Sequence, residues 1–138
     1  MRDNSGPHVS GTPTLARMRR RTFQRLRAGV VAKAHHNVYV VLLAAEAGKK
    51  RVVRAANPNR DPNKPCVYVG LTGLDPEKRF ENHKHGIKAA AIVKRYGIQL
   101  LPELYVHLNP MPYEAAAQME KDLAEDLRRD GYTVTGGH

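Results

Sequence analysis

Tryptophan is absent from this 138-residue chain, phenylalanine occurs twice and cysteine once, at Cys66. A lone cysteine excludes an internal disulfide and any zinc site built on paired thiolates, and it fits a reducing, cytoplasmic setting. No apolar run approaches the length needed to span a bilayer, and the N-terminus lacks the apolar core of a secretory signal, so a soluble protein with no membrane partner is expected. Acid is scarce too: 13 Asp or Glu stand against 23 Lys or Arg, leaving a formal charge of +10. An excess of that size in so small a chain favours a polyanionic partner, because clustered cations release the counterions condensed on a phosphate backbone. DNA leads, RNA is possible, and an anionic membrane surface comes behind both.

The length allows one domain with a real core plus appendages. Residues 1–36 hold eight Lys or Arg against one acid, which is +7 of the +10. The first fourteen, rich in Gly, Pro and Ser, bury too little surface to offset chain entropy. From Leu15 to about Lys33 the composition is compatible with helix. Two readings of this basic arm stand side by side: a phosphate clamp carrying Arg19, Arg20 and Arg21, and a solvated, partly ordered extension.

Beyond the arm, Val38 to Ala45 is almost wholly apolar and mostly of β type, as expected of a central strand covered on both faces. Arg51 to Ala55 reads as a returning edge strand. Residues 57–65, with three prolines and three asparagines, read as a loop. Cys66 to Gly70 reads as a second apolar strand. Asp75 before Pro76 predicts a helix from Pro76 to His85 that stops at Gly86. A short helix from Ala89 to Tyr96, a strand over Leu104–Leu108, a long helix from Tyr113 to Arg129 and a last strand over 132–134 complete the expected order.

On the long helix, Ala116, Met119, Leu123, Ala124 and Leu127 form an apolar stripe, and Glu120 falls inside it. A carboxylate on a core-facing side costs several kcal/mol unless it is paired or bound to a cation. Glu120 is therefore either in a buried ion pair with an arginine or a ligand for a divalent metal.

The densest chemistry lies in Val67-Tyr68-Val69-Gly70-Leu71-Thr72-Gly73 and the helix after it. A tyrosine ends a short strand, a glycine-containing turn follows, and Arg79 and His83, four apart, share one helix face. Together with Val38-Tyr39-Val40 and the helical Glu120, this pattern resembles the GIY-YIG nuclease superfamily from about Asn37 to the C-terminus. The resemblance implies an α+β domain over 37–138, with a small, mostly antiparallel three-stranded central sheet flanked by helices and the two tyrosines on adjacent strands. It further implies that Glu120 ligates Mg²⁺ or Mn²⁺, that Arg79 contacts the scissile phosphate, and that Tyr39 is the general base. Tyr68 and His83 would position or activate the attacking water, and Gly70 would allow close backbone approach. Lys84, Lys88, Lys94 and Arg95 would extend a DNA-facing surface.

The chain departs from the family pattern in three places. Asn37-Val38-Tyr39 stands where Gly-Ile-Tyr is usual, an insertion at about 46–65 separates the tyrosines, and the segment after Glu120 lacks the asparagine common in the family. Zinc is disfavoured, since His83 and His85 point in different directions on a helix and nothing near His35-His36 completes a site. Three functions remain: a divalent-metal-dependent endonuclease acting on DNA, a nucleic-acid-binding module of the same fold that cuts little or not at all, and a small basic structural protein in which the site residues do not converge.

Overall fold

The computed structural model describes residues 34–138, so Arg19, Arg20 and Arg21 of the basic arm lie outside the described residues. The described chain is an α+β domain around a four-stranded mixed sheet in the order β3-β1-β2-β4. Strand β1 (Asn37–Leu43) is central, with Val38 to Val41 all buried, as a strand covered on both faces requires. It pairs antiparallel with β2 (Cys66–Thr72) on one side and with β3 (Gly97–Leu100) on the other. Strand β4 (Thr133–Gly136) then runs parallel to β2. The expected three-stranded, mostly antiparallel sheet is thus corrected to four mixed strands. The last strand, expected at 132–134, runs parallel to β2 and makes the sheet mixed, and the strand not expected is Gly97–Leu100.

The expected edge strand at Arg51–Ala55 is instead helix α1 (Arg51–Ala56), entered through a 3-10 turn at Ala45–Lys49. Only Val53 of α1 is buried, while Val52 is 79% exposed, so the adjacent valines do not line one face of a sheet. Beyond α1, Asn57 takes over an edge-capping role. Its side-chain amide donates to the Val134 carbonyl and its oxygen accepts from the Val134 N–H, both at 2.9 Å. Acting as a surrogate strand, this side chain pairs with the outward-facing polar groups of Val134, whose carbonyl also accepts from Arg128 at 3.2 Å.

Helix α2 (Pro76–Lys84) begins behind Asp75 with Pro76 at its first position, and helix α3 (Ala91–Tyr96) runs directly into β3. The strand expected at Leu104–Leu108 is two 3-10 turns. Tyr105 and Leu108 are buried, a spacing of three that suits a 3-10 turn and not the alternation of a strand. Helix α4 (Tyr113–Arg129) is amphipathic as predicted and packs on β2, β4 and β1. Among the described residues no helix is long and apolar enough to cross a membrane.

Candidate active site

Register places the two tyrosines. Tyr39 lies opposite Gly70, and Tyr68 lies opposite Val41. Because side chains alternate along a strand, Tyr39, Gly70 and Tyr68 share one face, with the tyrosines on the diagonal. Their rings stand 6.2 Å apart. Gly70 makes room for this: a Cβ there would fall 2.5 Å from the Tyr39 hydroxyl oxygen and 2.8 Å from the ring's Cε1. The Tyr39 side chain therefore crosses directly over the Gly70 backbone.

Helix α2 brings His83 onto the same point. Fully buried, it stands 2.8 Å from the Tyr39 hydroxyl through Nε2 and packs edge-on to the Tyr68 ring at 5.8 Å. Its other nitrogen, Nδ1, accepts the Ala90 backbone N–H at 3.0 Å. A nitrogen that accepts carries no proton, so the ring is neutral, with its one hydrogen on Nε2. Nε2–H then donates to the Tyr39 oxygen. Burial pushes the His83 pKa down to about 4, and the Arg79 charge pushes the same way.

Arg79, one turn earlier on α2, is held by the loop that follows the helix. Its guanidinium donates to the carbonyls of Ile87 at 3.3 Å and Lys88 at 2.9 Å. Three of its five N–H groups remain for other acceptors. Arg79 stands near enough to both tyrosines to hold their pKa values down, against burial, which raises both. Burial dominates for each, and for Tyr39 the net displacement is large and upward.

Helix α4 supplies Glu120, which is buried. Burial lifts its carboxyl above the usual range, and nearby His138 and Lys121 pull it part of the way back. Its charge in turn raises both tyrosines. Among the described residues no hydrogen bond or ion pair engages this carboxylate, so the expected alternative of a buried arginine partner is absent there. Nor, among those residues, do three or more His, Cys, Asp or Glu side chains gather into a metal cage. One desolvated carboxylate with no partner among the described residues does fit a magnesium-type ion, which keeps most of its waters and uses one or two protein carboxylates plus substrate phosphates.

The residues expected to extend a DNA-facing surface fare differently. Lys84 donates to the carbonyls of Lys94 and Gly97, which ties it to the end of α3. Lys88 and Lys94 are exposed, and Arg95 is exposed beside the Tyr96 ring. Thr72, Arg79, Asn82, Ile87 and Lys88 line an open cleft of about 440 Å³ next to the Arg79 guanidinium.

Two contributors were not singled out from sequence. Asn109 brackets Val38 with both halves of its amide, accepting the Val38 N–H at 2.9 Å and donating to its carbonyl at 2.8 Å, which fixes the strand one residue before Tyr39. The Ala90 N–H sets the His83 tautomer. Asn109 reaches Val38 from 71 positions away and Ala90 reaches His83 from seven, and no local pattern announces either. No family model, curated protein or solved structure matches the chain.

Proposed function

We propose that this protein is a divalent-metal-dependent endonuclease that hydrolyses phosphodiester bonds in DNA, with a site of the GIY-YIG kind. The observation that carries the reading is the meeting of the Tyr39, Tyr68 and His83 rings from β1, β2 and α2, with Arg79 of α2 and Glu120 of α4 near enough for their charges to act on both tyrosines. Taken singly, a surface arginine or a core histidine has an ordinary structural explanation. Their joint placement around a buried carboxylate that has no partner among the described residues has a chemical one.

In this reading Arg79 binds the scissile phosphate with the N–H groups its loop leaves free, where charge builds in the transition state. A divalent ion held by Glu120 would add Lewis-acid charge at the same oxygens and cancel the carboxylate's upward pull on the tyrosines. Tyr39, as phenolate, takes a proton from water while the water oxygen bonds to phosphorus. The bond from phosphorus to the departing strand's oxygen breaks, and that oxygen leaves with the electron pair. Both nitrogens of His83 are occupied, so it does not meet the water; its Nε2–H steadies the phenolate, a positioning role. Tyr68, partly exposed, stands beside the base and orients the water.

Burial of Tyr39 favours a second reading, nucleic-acid binding with little or no cleavage, because a phenol pushed far above 10 is a poor base unless nearby positive charge lowers it. Supercoiled plasmid separates the two. With Mg²⁺ or Mn²⁺ the nuclease converts it to nicked or linear forms, and Arg79→Ala lowers the rate by about 10²–10³-fold, the usual effect of removing one transition-state donor. A pure binder leaves the plasmid intact and binds in a salt-dependent way.

A further inference from the structure

Beyond β4 the chain is wedged between the site and α4. Gly136 and Gly137 both lie in the left-handed region, at φ 79° and 80°. The Gly137 N–H donates to the carbonyl of Val69 at 2.9 Å, between Tyr68 and Gly70. A side chain at Gly137 would run into Cβ of Ala124 on α4, and its Cβ position is 3.7 Å from the Glu120 carbonyl oxygen. The backbone conformation and the close packing both require glycine here. Together they place the next residue, His138, beside the turn of α4 that carries Glu120.

We propose that the His138 imidazole is a second protein donor to the divalent cation at Glu120. The inference rests on the endonuclease reading and deepens it, since it makes the cation site one of mixed nitrogen and oxygen donors. An imidazole beside a carboxylate favours Mn²⁺, Co²⁺ and similar ions over Mg²⁺, which prefers oxygen and water. His138 carries no packing burden, because it is exposed.

Pulsed electron paramagnetic resonance on the tag-free protein loaded with one equivalent of Mn²⁺ tests this directly. The expected spectrum shows coupling of the manganese to an imidazole ¹⁴N, lost in His138→Ala, with Mn²⁺ affinity weakened on the order of tenfold or more and Mg²⁺ affinity changed less. His83 does not supply the signal, since Tyr39 and Ala90 occupy both its nitrogens. Bound Mn²⁺ without nitrogen coupling, or coupling that persists in His138→Ala, overturns the proposal. If the wild type nicks DNA yet its Mn²⁺ shows no such coupling, this inference fails and the nuclease reading stands. Absence of both cleavage and Mn²⁺ binding removes the two together.

Discussion

Gly70→Ala puts a methyl group into the space that the Tyr39 side chain crosses. The added carbon would lie 2.5 Å from the Tyr39 hydroxyl and 2.8 Å from Cε1, contacts that neither backbone nor ring tolerates. Tyr39 is 1% exposed and hemmed in by β2 and α2, so its ring cannot swing aside without breaking the 2.8 Å bond to His83. Overpacking costs about 1–3 kcal/mol, and a buried polar group stranded by the lost bond costs about 1–3 kcal/mol more. Their sum, about 2–6 kcal/mol, corresponds to a Tm lowered by about 10–30 °C in a domain near 100 residues. Circular dichroism melts are the suitable assay, since there is no tryptophan to follow by fluorescence. Introduced into a Tyr39→Ala background, the same change is expected to cost well under ~1 kcal/mol, because the two residues meet and their effects do not add. Additive costs, or a Gly70→Ala protein as stable as wild type, would refute the placement of the ring.

Three further outcomes follow from the same geometry. His83 is buried neutral with a pKa near 4 against 6.5 when exposed, so the unfolded chain binds more protons between those values and stability falls as pH drops from 6.5 to 4; the loss, on the order of 3 kcal/mol, should be missing from the stability-versus-pH curve of His83→Gln, and parallel curves for the two proteins would contradict the neutral tautomer. Asn57→Ala strands the Val134 N–H on the edge of β4, while the Val134 carbonyl keeps the Arg128 guanidinium at 3.2 Å, and should cost about 1–3 kcal/mol in denaturant unfolding, whereas a loss below ~0.5 kcal/mol would mean that water replaces the amide freely. Lys84→Ala removes a cap from the end of α3 and should lower Tm by a few degrees while leaving DNA affinity nearly unchanged, in contrast to Lys88→Ala at the cleft, where salt-dependent binding should weaken.

Much of this site was legible because its parts are local or periodic. Tyr68, Gly70, Arg79 and His83 fall within sixteen residues, where strand alternation and the helical four-residue repeat set direction without tertiary information. Glu120 stood out because α4 is long enough for its apolar stripe to be read, and the helix bounds Tyr113–Arg129 came through unchanged. Short segments were another matter. Arg51–Ala56 contains two adjacent valines that favour a strand locally, yet its fate is settled by burying Val53 alone and by Asn57 reaching β4. Gly97–Leu100 gave no strand signal, with Ile98 and Gln99 exposed, and it pairs only because α3 ends directly at the edge of β1. His138 carries no sequence cue at all; its position depends on two glycines fitting between β2 and α4.

The most direct measurement compares plasmid nicking by the wild type and Glu120→Gln in Mg²⁺ or Mn²⁺, with DNA affinity measured in parallel. Glutamine keeps the shape and removes the charge that would hold the ion. The account predicts nicking by the wild type, a rate lower by about 10²-fold or more in the variant, and similar DNA binding by both. Equal nicking by the two proteins, or intact plasmid with both while binding persists, would contradict it.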